Sequence, residues 1–195
     1  MIAVDCEMSG LEPRIHSILS IGAVDINNPE RRFYGECGLP QNKTFDPVSL
    51  TICGFSEDEI KDKNKKSLKD LMNEFYTWVK ESSDDMLVGQ NITLDRDFLN
   101  TAFAESEIDF KFHYRCVDLH SAAISIFLLK GRDINKDEET GRYKMSLDRI
   151  AEALGMPQEP RPHNALTGAL YNTEVFSRLV YGKNAIEDFK DSPIV

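Results

Sequence analysis

The chain has 195 residues, 41% of them hydrophobic and 29% charged, with a formal net charge of −10, which is enough for one sizeable core and a single domain spanning 1–195. The acidic balance argues against a protein that grips long duplexes through many phosphates. It leaves room for one that holds a few nucleotides around metal ions, where the ions supply the positive charge. The cysteines Cys6, Cys37, Cys53 and Cys116 are scattered and form no CxxC pair. The N-terminus lacks a secretory pattern, and no stretch approaches the roughly 18 apolar residues of a bilayer span. The expectation is a cytoplasmic protein with reduced thiols and no membrane contact.

In chain order, residues 2–8 form an apolar run that carries Asp5 and Glu7 and breaks at Gly10, a strand. Residues 17–25 read as a second strand, 27–30 as a turn, and 32–37 as a third strand, an antiparallel meander. Residues 40–55 look irregular, and Ser56 to Glu59 carries a capping box for a short helix. The lysine-rich stretch 61–69 is flanked by acidic residues and reads as a solvated face. It leads into a helix with Leu68, Leu71, Met72, Phe75, Trp78 and Val79 at helical spacing up to Lys80.

Residues 86–89 form a buried strand, 93–104 a helix, and 114–117 a last strand, with Asp118 capping an apolar helix over 119–129. The polar stretch 131–144 lacks periodicity and is expected to be a mobile loop. Ser146 caps a helix stopped by Gly155 and Pro157, and a final helix runs from near His163 to about Tyr181, followed by a polar tail over 183–195. A meander followed by alternating strands and helices gives an α/β fold, a mixed five-stranded sheet flanked by helices.

On a strand, Asp5 and Glu7 share one face while Ile2, Val4, Cys6 and Met8 share the other. Two adjacent carboxylates on a core strand need either a cation, with Mg²⁺ or Mn²⁺ suited to oxygen ligands, or solvent at a strand end. Asp95 leans toward the buried side of its helix with Phe98 and Leu99, whereas Asp97 points away. It is either a further ligand or an acid favoured by the helix N-terminus. His163, fixed by Pro162, is either a surface or capping residue or a general base for a water attacking a phosphodiester.

Taken in this order, Asp5 to Leu11, Gly89 to Leu99, the helix from Ser146 to Gly155 and the opening His163-Asn164-Ala165-Leu166 resemble the motifs of the DEDD 3′–5′ exonucleases of the ribonuclease H-like fold. The match is to the branch whose last motif carries histidine. The resemblance implies two Mg²⁺ or Mn²⁺ ions, with Asp5 bridging them, Glu7 and Asp95 as further ligands, and His163 as general base. It also implies that Met8, Ser9, Gly10, Leu11 and Asn91 hold the terminal nucleotide of a single-stranded or short nucleic acid at its 3′ end, with nucleoside monophosphates as products.

One position departs from the pattern. Gly168 stands five residues after His163, where the resemblance places a fourth carboxylate. Asn172 or a water is the expected substitute at that ligand site. The alternatives to a full exonuclease are a weak or inactive exonuclease-like module that binds nucleic-acid 3′ ends or a protein partner, and a small-molecule phosphohydrolase.

Overall fold

In the computed structural model, which describes residues 1–134 and 136–194, the chain opens with the meander β1 (Ile2–Met8), β2 (Ile18–Asp25) and β3 (Asn28–Glu36). The β2–β3 turn is tighter than the sequence suggests. Asp25 pairs with Asn28, so only Ile26 and Asn27 lie between the strands. Pro29 therefore falls inside β3, an edge strand, where a missing N–H is tolerated. β4 (Leu87–Gly89) and β5 (Val117–Asp118) add in parallel on the other side of β1, completing a mixed five-stranded sheet in the order β3-β2-β1-β4-β5. β5 begins three residues later than expected, and Tyr114 stays exposed outside it.

Helices cover both faces. Ile2, Val4 and Cys6 pack on one side with Phe75 of α3 (Leu68–Lys80) and with Phe98 and Phe103 of α4 (Thr93–Glu105). Ala3 faces the other side, where α5 (Leu119–Leu129), α6 (Leu147–Ala153) and α7 (Ala165–Tyr181) contribute Leu119, Ile150, Ala169, Val175 and Phe176. Strand alternation therefore aims Asp5 and Glu7 into the α7 layer.

Some element boundaries differ from expectation. Residues 40–55 are not all irregular: α1 (Pro47–Cys53) starts at Asp46, whose side chain accepts from Val48 N, with Pro47 in the first turn and left-handed Gly54 at its end. α2 (Glu57–Ile60) carries the capping box as read. Within 131–144, Lys136 bridges Tyr143, and Asp137 Oδ1 accepts from Thr140 N at 2.8 Å, which organises a local turn. Residue 135 lies outside the described residues.

α7 starts at Ala165, later than expected, because Asn164 is the cap, accepting from Leu166 N and Thr167 N. The tail also packs. Ile186 and Phe189 are buried, and the fully buried Arg178 donates to Leu154 O, Phe189 O, Ser192 O and Pro193 O while pairing with Glu174 at 2.7 Å. Among the described residues, no helix is long and apolar enough to cross a membrane.

Candidate active site

The site forms where β4 leaves β1. Their ladder ends at the pairs Ile2–Leu87 and Ala3–Val88, so the next backbone groups of β1 turn to side chains instead. Cys6 N donates to Asp95 Oδ1 at 2.9 Å, which brings an α4 carboxylate to β1 between Asp5 and Glu7. Asn172 Nδ2 donates to Val4 O at 3.1 Å, and its Oδ1 accepts from Gln90 N. Asn172 thus fastens α7 to the open strand edge with both ends of its amide. Asp97, as read, points away, exposed and paired with Arg96. Crevices of this kind, beyond the carboxyl ends of parallel strands, are where α/β sheets bind ligands.

Two glycines let the start of α7 lie flat on the sheet. Gly22 pairs with Asp5 across β1–β2, and a Cβ there would overlap the backbone of Ala165 and Leu166. A Cβ on Gly168 would stand 2.6 Å from Asp5 Cγ and nearer still to Oδ2. The space at residue 168 is occupied by the Asp5 carboxylate itself, which lies beside the first turn of α7, where the helix dipole favours negative charge.

His163 borders two adjoining cavities. One, of about 290 Å³, is lined by Asp5, Gln90, Asn91, Asp148 and Glu159. The other, of about 250 Å³, is lined by Glu7, Tyr34, Glu36 and Glu59. His163 thus shares one cavity with Asp5 and the other with Glu7, while Asp95 meets the same strand through Cys6 N.

Burial sets the electrostatics of the acids. It pushes Glu7 up to about 7, with Glu159 adding to the shift and Arg161 opposing it. Burial also pushes Asp95 up to about 7 against the stabilising Cys6 N–H. Asp5 is raised well above the usual carboxylate range by burial and then by Asp95, Glu7 and Glu159.

Sequence reasoning missed Glu159. It is 6% exposed, its Oε2 lies 3.0 Å from His163 Nδ1, and its Oε1 is buried without a hydrogen-bond partner among the described residues. Its backbone N donates to Asp148 Oδ1, and Asp148 Oδ2 pairs with Arg161 at 2.6 Å. A glutamate in an aperiodic segment gives no burial signal. The nearest hint was the Pro160-Arg161-Pro162 bracket, which stiffens the approach to His163.

The residues expected to hold a nucleotide differ in what they offer. Leu11 is 73% exposed at the strand exit, free to stack. Asn91, in a left-handed conformation at φ 53°, lines the Asp5 cavity. Gly10 lets the His16 ring lie against the backbone. Met8 packs partly against the core. Ser9 offers no free polar group: its hydroxyl donates to Thr44 O and accepts from Ser17 N, its amide donates to Ser17 O, and its carbonyl accepts from Asp46 N. Its role is to hold the turn.

The donor set, all oxygen, suits a hard divalent cation, and the unpartnered Glu159 Oε1 marks an acidic wall short of positive charge. Among the described residues, however, no three acidic, His or Cys side chains close around one point, so an ion would have to draw them together. A larger cavity, about 740 Å³, lies elsewhere and is lined by Lys61, Lys63, Lys65, Lys66 and Lys69. Four of these ammonium groups are tied to Glu57, Glu36, Glu74 and Glu107, in keeping with a charge-balanced surface.

Residues 2–176 match the Exonuclease (RNase_T) family model. The chain is 28% identical over 180 residues to the 3′-5′ DNA exonuclease Cap18 of Escherichia coli, covering 90% of this chain and 88% of that protein. It is 26% identical to the PolC-type DNA polymerase III of Thermotoga maritima, covering 92% of this chain but 12% of the polymerase. Among solved structures, E. coli exonuclease I in its zinc-bound complex with single-stranded DNA superposes with a TM-score of 0.75 at 14% identity, covering 93% of this chain and 40% of that one. The fold is therefore ribonuclease H-like, and this chain spans well under half of exonuclease I.

Proposed function

This chain belongs to the Exonuclease family, and from that premise we propose that it is a divalent-metal-dependent 3′–5′ exonuclease of the DEDD histidine branch, cutting single-stranded or short nucleic acid to nucleoside monophosphates. The observation that supports this reading is that Asp5 and Glu7 border two cavities that share His163, with Asp95 held to the same strand through Cys6 N and all three carboxylates pushed upward by burial. Crowded buried acids of this kind are costly unless a cation compensates them.

Asp5, Glu7 and Asp95 would hold Mg²⁺ or Mn²⁺, which when bound would supply an acidified water and charge neutralisation at the departing 3′ oxygen. Cys6 N fixes the Asp95 carboxylate, and the α7 N-terminus supports the charge on Asp5. His163 takes up the proton of the attacking water. Leu11 offers an apolar face to the terminal base, and Asn91 lines the approach to Asp5. Similarity to a DNA exonuclease and to single-stranded-DNA complexes supports DNA as the first substrate to assay.

The test is release of mononucleotides from the 3′ end of a labelled oligonucleotide in Mn²⁺, absent in EDTA and in Asp5→Ala. Failure to bind Mn²⁺ and to release any product sinks the hydrolytic reading. A second reading, a binder of 3′ ends without turnover, is favoured by one observation: residue 168 carries no side chain. Tight oligonucleotide binding with no product at saturating Mn²⁺ would select it.

A further inference from the structure

We propose that Glu159 is a positioning residue for His163. By accepting Nδ1–H it holds the ring in one tautomer and leaves Nε2 as the acceptor in the cleft. Nδ1 lies 3.0 Å from Glu159 Oε2, and the Glu159 side chain is 4% exposed, so this contact is sheltered from the water that would otherwise compete for the ring.

A merely structural ion pair would serve to anchor the segment before α7, but that segment is already anchored without it. Glu159 N donates to Asp148, Arg161 pairs with Asp148, Tyr171 OH donates to Gln158 O at 2.9 Å, and His163 N donates to Ile52 O at 3.2 Å. Three of these contacts fix the backbone and the fourth holds the Arg161 side chain, and the Glu159 carboxylate adds none to the backbone. Among the described residues its Oε1 has no partner, so there the histidine is the one group the carboxylate serves. A carboxylate behind an imidazole sets which nitrogen carries the proton and steadies the cation once the ring is protonated.

In the hydrolytic reading, on which only this last step rests, Nε2 takes a proton from water as the water oxygen bonds to phosphorus and the P–O3′ bond breaks. Solvent then protonates the departing 3′ oxygen, and His163 returns its proton to solvent. The positive ring formed in between stands against the Glu159 carboxylate.

The full chain labelled with ¹⁵N reports the tautomer directly through long-range ¹H–¹⁵N correlations, with His163→Asn assigning the signal. Expected is a single Nδ1–H form in the wild type, retained in Glu159→Gln, whose carbonyl oxygen still accepts, and lost to a mixture in Glu159→Ala. In Mn²⁺, Glu159→Ala should lower kcat about 10- to 100-fold with KM within about threefold and leave Mn²⁺ affinity by calorimetry unchanged. A wild-type Nε2–H tautomer overturns the proposal. So does a Mn²⁺ affinity in Glu159→Ala more than tenfold weaker, which would make Glu159 a metal ligand instead. If the wild type shows no turnover, the hydrolytic reading fails while the tautomer still decides the role of Glu159.

Discussion

Asp5 and Gly168 share one space: the carboxylate of the first sits where the side chain of the second would be, 2.6 Å from Cγ to the position of a Cβ. The group that fills the room beside residue 168 is the one expected to bridge the ions. Any side chain at 168 must first turn Asp5 away. For Gly168→Ala the helix gains about 1 kcal/mol, while the atom displaced is the end of a mobile side chain. The expected result is a melting temperature little changed and a Mn²⁺ affinity at least about tenfold weaker, both measurable on the same sample by scanning and titration calorimetry. Gly168→Asp should restore turnover only if Asp5 can swing toward an ion, so any gain should appear at high Mn²⁺ alone.

Gly22 provides the contrast. There a Cβ meets the backbone of Ala165 and Leu166, which cannot rotate aside. Gly22→Ala is expected to cost at least the 1–3 kcal/mol typical of overpacking, read as a lower urea midpoint with an unchanged slope.

The raised carboxylates give a pH dependence of definite sign. Glu7 moves from 4.5 to about 7 on folding and Asp95 from 3.8 to about 7, so the folded state binds more protons than the unfolded one across that window. Stability without metal should therefore fall as pH rises from about 5 to 8. Melting in EDTA should show a higher midpoint at pH 5.5 than at pH 8, and saturating Mn²⁺ should narrow the gap. A flat or opposite trend would contradict the crowding of these acids.

Asp5→Asn removes one of the mutually repelling charges at nearly constant shape. In EDTA at pH 8 it should raise the melting temperature. In Mn²⁺ it should abolish turnover by at least about a thousandfold, since metal activation is worth several kcal/mol. A stabilised but inactive variant would separate what the cluster does for function from what it costs the fold.

Much of this site could be read from the chain because its members sit on periodic elements. Asp5 and Glu7 are two apart on an alternating strand, and Asp95 leans with Phe98 and Leu99. Glu159 could not be read, because its burial comes from α6 and α7 closing over an aperiodic segment. The clamp that Asn172 makes to Val4 and Gln90 could not be read, because both partners are more than 80 residues distant in sequence. α1 was legible after all, since Asp46-Pro47 is an N-cap followed by a first-turn proline. At Ser9 every hydrogen-bonding group is engaged by the fold, which leaves close backbone approach as what this turn offers a nucleotide.

Far from the cleft, Arg178→Ala would leave Glu174 buried with its charge uncompensated and release four carbonyls of the α6 end and the tail. A loss of about 3–5 kcal/mol is expected, measured by urea unfolding. Residues beyond 183 should become sensitive to protease while Mn²⁺ still binds to the folded fraction.

The buried run of α7 carries this point further. One end of the helix holds Gly168 and Asn172 against the strands, and the other holds Glu174 and Arg178 against the tail, all on a single rod about 25 Å long by helical rise. Amide exchange along α7, in the tail and at Val4 to Cys6 should then proceed with one common opening energy. Warming would disassemble the cleft and detach the tail in the same event.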